Sequence, residues 1–194
     1  MNRATHQRLV LVDTVWPAES LRRDIILILT GSLLVALCSR VEIPLQPVPV
    51  TGQTFGVLLV GALLGSRRGA MSMLSYLALG AAGFPVFASG AYGPARFFGP
   101  TGGYLAGFVL AAALVGWLSE RGWDRRVITT ALAMALGMLV IYACGIAWLS
   151  HFVSWGQVLT VGVFPFLLGD GLKIALAALA LPLGWTLTGP GSQH

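Results

Sequence analysis

The chain has 194 residues, of which 56% are hydrophobic and only 10% charged. A soluble domain carries about 25% charged residues, and a core of this size cannot hide so much apolar surface from water, so a soluble globular domain and a disordered chain are both excluded. The formal charge of +5 falls in short basic clusters between apolar runs rather than along one stripe, which argues against nucleic acid as a partner.

Residues 1–20 mix polar and apolar types, with Arg3, Arg8, Asp13 and Glu19. They read as an N-terminal segment outside the bilayer, in which Leu9 to Val15 supply the apolar side of a short surface helix. Apolar runs then cover 24–41, 51–66, 69–86, 101–119, 127–150 and 161–187. Six spans of about 20 residues use most of the chain and leave no room for a second domain. The expectation is one all-α membrane domain over 1–194 with six transmembrane helices.

Orientation follows from the loop arginines. Arg3, Arg8, Arg22, Arg23, Arg67, Arg68, Arg121, Arg125 and Arg126 share one side if six spans alternate, with short loops near 67 and 122. The opposite side receives Arg40 and Arg96. Both termini are therefore expected in the cytoplasm. Pro44, Pro47 and Pro49 exclude helix before the short second run, and Pro85, Pro94 and Pro100 with Gly90, Gly93, Gly99 and the preceding Gly83 make 84–100 a second outer loop. These are either plain surface loops or backbone that lines a cavity.

Small residues recur every fourth position at Gly61, Gly65 and Gly69, at Gly103 and Gly107, at Ser32 and Ala36, and at Ala131 and Ala135. Such rows let helix backbones approach closely in lipid. Cys38 and Cys144 lie far apart inside apolar runs and read as small buried hydrophobes. His6, His151 and His194 stand alone, so no metal site is expected.

Asp170 and Lys173 are the most informative residues. A last helix from Pro165 to Trp185 places both on one face, three residues apart, with Asp170 in the outer half of the bilayer and flanked by Gly169 and Gly171. One reading is a self-compensating ion pair that fixes the helix among its neighbours. The other is a polar anchor for a solute, since intramembrane ionisable groups face the bundle interior or a cavity. A carboxylate beside an ammonium offers acceptors and donors with no net charge, which suits a neutral planar urea or amide. A carboxylate held by a lysine is hard to protonate, which disfavours a proton relay.

Arg96 in the second outer loop is either solvated or a fork for a ligand carboxylate. Thr51, Gln53 and Thr54 form a cluster of neutral hydrogen-bonding groups, with Thr51 also suited to cap a helix start. Phe84, Phe87, Tyr92, Phe97, Phe98 and Tyr104 make an interfacial aromatic belt, of which a few can wall an apolar pocket. No Walker lysine motif, phosphate-binding glycine loop or protease spacing occurs. The chain is not read as an enzyme, and energy for uphill transport must come from a partner or an ion gradient.

The segments PLQPVPVTGQTFGVLLVGALLG at 44–65, GAAGFPVFASG at 80–90, FFGPTGGYLAGF at 97–108 and GDGLK at 169–173 together resemble the BioY family. These are the biotin-specific substrate-binding (S) components of energy-coupling factor (ECF) transporters. The resemblance implies a six-helix S-component bundle in the inner (plasma) membrane, with biotin held near the outer face beneath the loop between the first two helices. By position, Asp170 and Lys173 match the polar residues of the last helix that hold the ligand. The candidate substrate-binding set is Asp170, Lys173, Gln53, Thr51, Arg96, Tyr92 and Tyr104, with no cofactor besides biotin as transported ligand. The resemblance also implies partners: a transmembrane coupling protein, expected to dock on the Ser32 and Ala36 face of the first helix, and two ATPases. The rival readings are a proton-coupled secondary transporter with Asp170 as carrier and a small membrane enzyme acting on a lipid-soluble substrate.

Overall fold

The structure, a computed structural model, describes residues 10–17 and 20–188. The expectations for Arg3, His6, Arg8, Leu9, Glu19 and His194 lie outside those residues. The chain begins with a single-turn helix α1 (Leu11–Val15) and a long helix α2 (Leu21–Cys38). Ser20 caps α2, its Oγ accepting from the Arg23 amide at 3.2 Å, which satisfies one of the free N–H groups of the first turn. Asp13 on α1 accepts from Arg23 Nη2 at 2.8 Å and from Arg68 Nη2 at 2.9 Å. Burial alone would raise the Asp13 carboxyl, but the two guanidiniums outweigh it and hold it below the ordinary carboxylate value.

After α2 come two short strands, β1 (Glu42–Ile43) and β2 (Val50–Thr51), paired antiparallel with Glu42 opposite Thr51. The next helix, α3 (Gln53–Ala81), is continuous in name only, because at Gly65 the backbone takes φ 86 and ψ 176. That region of φ/ψ space is open essentially to glycine alone. The chain doubles back there: a Cβ on Gly69 would lie 3.0 Å from the Gly61 Cα, and Gln53 bonds to Tyr76. Residues 53–64 and 66–81 are thus antiparallel neighbours. The expected loop around Arg67 and Arg68 is replaced by a reversal at one residue, with both arginines on the second helix. Glu120 completes the reversal, its Oε1 accepting from the Ser66 amide and hydroxyl at 2.7 Å each. Gly116 makes room, since a Cβ there would stand 2.3 Å from the Gly65 carbonyl carbon.

A short helix α4 (Ala95–Phe98) interrupts the loop from 82 to 101, and α5 (Gly102–Ser119), α6 (Val127–Leu149), α7 (Trp155–Gly162) and α8 (Phe164–Thr188) follow. Gly103 and Gly107 form the close-packing face their spacing implies, whereas the reversal at Gly65 puts Gly61 and Gly69 on facing halves of α3 rather than on one helix face. A Cβ on Gly61 would be 2.6 Å from the Ala112 carbonyl oxygen, and one on Gly103 would be 2.4 Å from that of Cys144, so α3, α5 and α6 pack backbone to backbone. The row on α2 serves the same purpose, contrary to the docking role expected for it. Ser32 is 0% and Ala36 8% exposed, because this face of α2 turns toward α3, where a Cβ on neighbouring Gly31 would stand 2.6 Å from Ser72 Oγ. What α2 presents outward is Leu21, Ile25, Leu29, Leu33 and Leu37.

Helix α8 likewise exposes Leu168, Leu172, Leu176, Leu179 and Leu183. A girdle of this kind is stable against lipid rather than water. Among the described residues, four helical stretches are long and apolar enough to cross a bilayer: Gln53–Ala81, Gly102–Ser119, Val127–Leu149 and Trp155–Thr188. Between α5 and α6, Asp124 is buried and accepts from Trp185 Nε1 at 2.6 Å. Burial raises its carboxyl to about 6, and the bond joins this turn to the end of α8. Cys38 and Cys144 are unpaired.

The reversal gives a direct stability test. Gly65→Ala forces a side chain into a glycine-only conformation and against Glu120 Oε1, 2.8 Å from the ideal Cβ position, and should destabilise by about 1–3 kcal/mol. Gly156→Ala on α7, where the new Cβ meets nothing within 4 Å, should be neutral or stabilising by up to about 1 kcal/mol. Thermal unfolding of the two variants in detergent checks the contrast.

Candidate functional site

Prolines keep the backbone between β1 and β2 out of helix, so residues 44–49 form an extended cap rather than another turn of α2 or α3. The cap is fastened to the loop from 82 to 101. Glu42 accepts from the Ser89 amide at 2.7 Å and from the Ser89 hydroxyl at 2.9 Å. Ser39 Oγ donates to the Val86 carbonyl at 2.9 Å, and the Arg40 guanidinium donates to the Pro85 carbonyl. Beneath these loops lies a cavity of about 320 Å³, a size suited to a small organic ligand.

The cavity has two chemically distinct ends and apolar walls. Phe87, Tyr104, Leu105, Phe108, Ile141 and Phe166 supply the walls. Arg96, exposed, lies on the rim together with Ser89 and Thr101. The buried polar end is formed by Thr51, Gln53, Thr54, Tyr142 and Asp170.

That buried end is one hydrogen-bonded network. Asp170, 4% exposed, accepts at Oδ1 from Lys173 Nζ at 2.8 Å and at Oδ2 from the Tyr142 hydroxyl. Lys173 Nζ also donates to the Thr51 carbonyl at 2.8 Å and to Thr54 Oγ1 at 2.9 Å. Thr51 Oγ1 donates to Gln53 Oε1 at 3.0 Å, Gln53 Nε2 donates to the Tyr76 hydroxyl, and Tyr76 donates to the Val86 carbonyl at 3.0 Å. The network ties α8 and α6 to the start of α3 and, through Tyr76, to the loop from 82 to 101. Each carboxylate oxygen of Asp170 keeps a lone pair, so the site offers acceptors to a neutral ligand without a net charge of its own.

Of the residues singled out from sequence, Thr51, Gln53, Thr54, Phe87, Arg96, Tyr104 and Asp170 line the cavity. Lys173 stands behind Asp170 and is not part of the lining. Tyr92, 63% exposed, lies outside it. Tyr104 contributes its ring to the wall while its hydroxyl donates to the Gly162 carbonyl at 2.8 Å. Sequence reasoning missed Tyr142, Phe166 and Phe108. The signal for Tyr142 was a phenol inside the otherwise apolar stretch VIYACG, since a buried tyrosine hydroxyl needs a partner.

The Asp170–Lys173 pair has a definite stability signature. Lys173→Met leaves a nearly buried carboxylate without its counter-charge and should destabilise by about 3–5 kcal/mol. Asp170→Leu combined with Lys173→Met removes both charges and should recover most of that loss. Unfolding midpoints of the single and double variants check the order.

Comparison with known proteins agrees with this architecture. The BioY family model matches residues 7–189. A probable biotin transporter BioY of Pyrococcus horikoshii is 40% identical over 151 residues, 76% of this chain and 89% of the relative. The biotin transporter BioY of Rhizobium etli is 37% identical over 179 residues, 85% of this chain and 96% of the relative. Among solved structures, a 2.1 Å crystal structure of the S-component for biotin from an ECF-type ABC transporter matches with a TM-score of 0.73 at 26% identity, covering 86% of this chain and 94% of that one. These neighbours are transporters and transporter components, and the apolar helices make this chain, too, a multi-pass membrane protein. Matched over nearly its whole length, the chain belongs to the BioY family.

Proposed function

We propose that this chain is a biotin-binding S component that mediates biotin uptake across the inner (plasma) membrane, energised by an ECF module of a transmembrane coupling protein and ATPases. The observation that carries the reading is the two-ended cavity in a member of the BioY family. Biotin has a neutral ureido ring, an apolar thiophane and a valerate carboxylate. The ureido group belongs at the buried end, where Asp170 and Gln53 accept and donate and Thr51 holds Gln53 in place. The thiophane packs against Tyr104, Phe108 and Phe166. The carboxylate reaches Arg96 at the rim, where a guanidinium offers two parallel N–H donors. Lys173 acts from behind Asp170, and Tyr92 remains at the outer surface.

The crossings in this reading are α2, the two halves of α3, α5, α6 and α8, six in all, with both termini cytoplasmic. Two features support it. The reversal at Gly65 turns one long helix into two antiparallel passes, and the Asp13 carboxylate gathers Arg23 and Arg68 at one end of the bundle, the end that charge asymmetry assigns to the cytoplasm. An Asp170 that already accepts from an ammonium and a phenol is a poor proton carrier, which weighs against the secondary-transporter reading.

The purified protein alone, without nucleotide, should bind biotin tightly and one to one. Arg96→Ala should weaken biotin binding by about tenfold to a hundredfold, the worth of one or two hydrogen bonds to a charged group, while barely changing affinity for biotin methyl ester. Isothermal titration with both ligands checks this. Millimolar affinity for biotin, with tight binding of a different vitamin, would remove the substrate assignment.

A further inference from the structure

Lys173 has three N–H donors, and all three are engaged by protein acceptors: Asp170 Oδ1 at 2.8 Å, the Thr51 carbonyl at 2.8 Å and Thr54 Oγ1 at 2.9 Å. An ammonium has no further donor to offer, and Lys173 does not line the cavity. Its influence on a ligand must therefore pass through the groups it holds. Asp170 is one of them. Thr54 is the other, and it does line the cavity.

A threonine hydroxyl carries one donor and two lone pairs. Here one lone pair of Thr54 faces the ammonium, and among the described residues its proton has no acceptor. The hydroxyls nearby are committed elsewhere: Thr51 donates to Gln53, Tyr142 to Asp170 and Tyr104 to the Gly162 carbonyl. The ammonium also polarises the hydroxyl it bonds, which makes the remaining O–H a better donor. A single Nζ thus sets a donor, Thr54, and an acceptor, Asp170, side by side. On one edge of a cyclic urea an N–H and the carbonyl oxygen lie side by side in the complementary order.

The geometry points to Thr54 as a ligand-binding and specificity residue, its hydroxyl donating to the carbonyl oxygen of the ureido ring, with Lys173 as the positioning residue that aims it. This rests on the biotin reading above and adds to it the group that recognises the ureido oxygen. The site then distinguishes a urea from an analogue that carries an N–H in place of that oxygen.

The experiment titrates the full-length protein and its Thr54→Val and Thr54→Ser variants with biotin, desthiobiotin and 2-iminobiotin, the last having an imino group where biotin has the carbonyl oxygen. Valine keeps the shape of threonine without the hydroxyl, and serine keeps the hydroxyl. Thr54→Val should lose at least about tenfold in affinity for the two ureido ligands and much less for 2-iminobiotin, so that the preference for urea over imine collapses. Thr54→Ser should stay within about threefold of the unsubstituted protein for all three. A merely structural role would lower all three affinities together. Unchanged biotin binding by Thr54→Val, or an equal loss for ureido and imino ligands, would overturn the assignment of Thr54 while leaving biotin as the ligand. Failure of the unsubstituted protein to bind biotin would overturn both.

Discussion

One ammonium group holds the site together. Lys173 Nζ joins Asp170 on its own helix to the Thr51 carbonyl at the end of β2 and to the Thr54 hydroxyl in the first turn of α3. Removing a charge from water costs several kcal/mol unless close partners replace the lost hydration. Here a carboxylate three residues away and two neutral oxygens do so. Their consequence reaches beyond electrostatics, because the same three contacts fix where α8 stands against α3 and where the proline cap ends. The stability and the shape of the buried pole therefore depend on one side chain.

The second constraint is the reversal at Gly65. A straight helix over Gln53–Ala81 would carry Tyr76 far from Gln53, at a rise of about 1.5 Å per residue. Because the chain folds back, Tyr76 meets the Gln53 amide and passes the connection on to Val86 in the loop from 82 to 101. The reversal in turn needs Gly116 beneath it and Glu120 to take up the Ser66 donors. Cavity-lining groups at one end of the bundle thus rest on packing near the opposite end of the same two helices. Such a framework holds its polar groups in place before a ligand arrives, which lowers the ordering cost of binding.

The cavity is polarised along its length. A network without net charge lies at the buried end and a guanidinium at the exposed rim, with aromatic walls between. The two loops that roof it are joined by exposed bonds, Glu42 to Ser89 and Arg40 to Pro85, and by the partly buried bond from Ser39 to Val86. Exposed hydrogen bonds compete with water and contribute less than buried ones. The exposed bonds of the roof are accordingly weaker than those of the buried Asp170 network.

The sequence by itself determined the properties that depend on composition and local spacing. Charge scarcity sets a membrane protein, proline spacing sets the extended cap, and the three-residue interval puts Asp170 and Lys173 on one helix face. The motifs at 44–65, 80–90, 97–108 and 169–173 already resemble one family. Tertiary structure alone decided what each face meets. It turned Ser32 and Ala36 inward, replaced a loop at Arg67 with a reversal at Gly65, and put Tyr142 against Asp170. It also committed all three Lys173 donors to Asp170, Thr51 and Thr54 and, among the described residues, left the Thr54 proton without an acceptor. Periodicity states which residues share a face, but a hydrogen bond is directional, and the partners that orient Lys173 lie 119 and 122 positions away in the chain. No local pattern carries that information, because only the packing of α8 against the start of α3 brings those groups within reach.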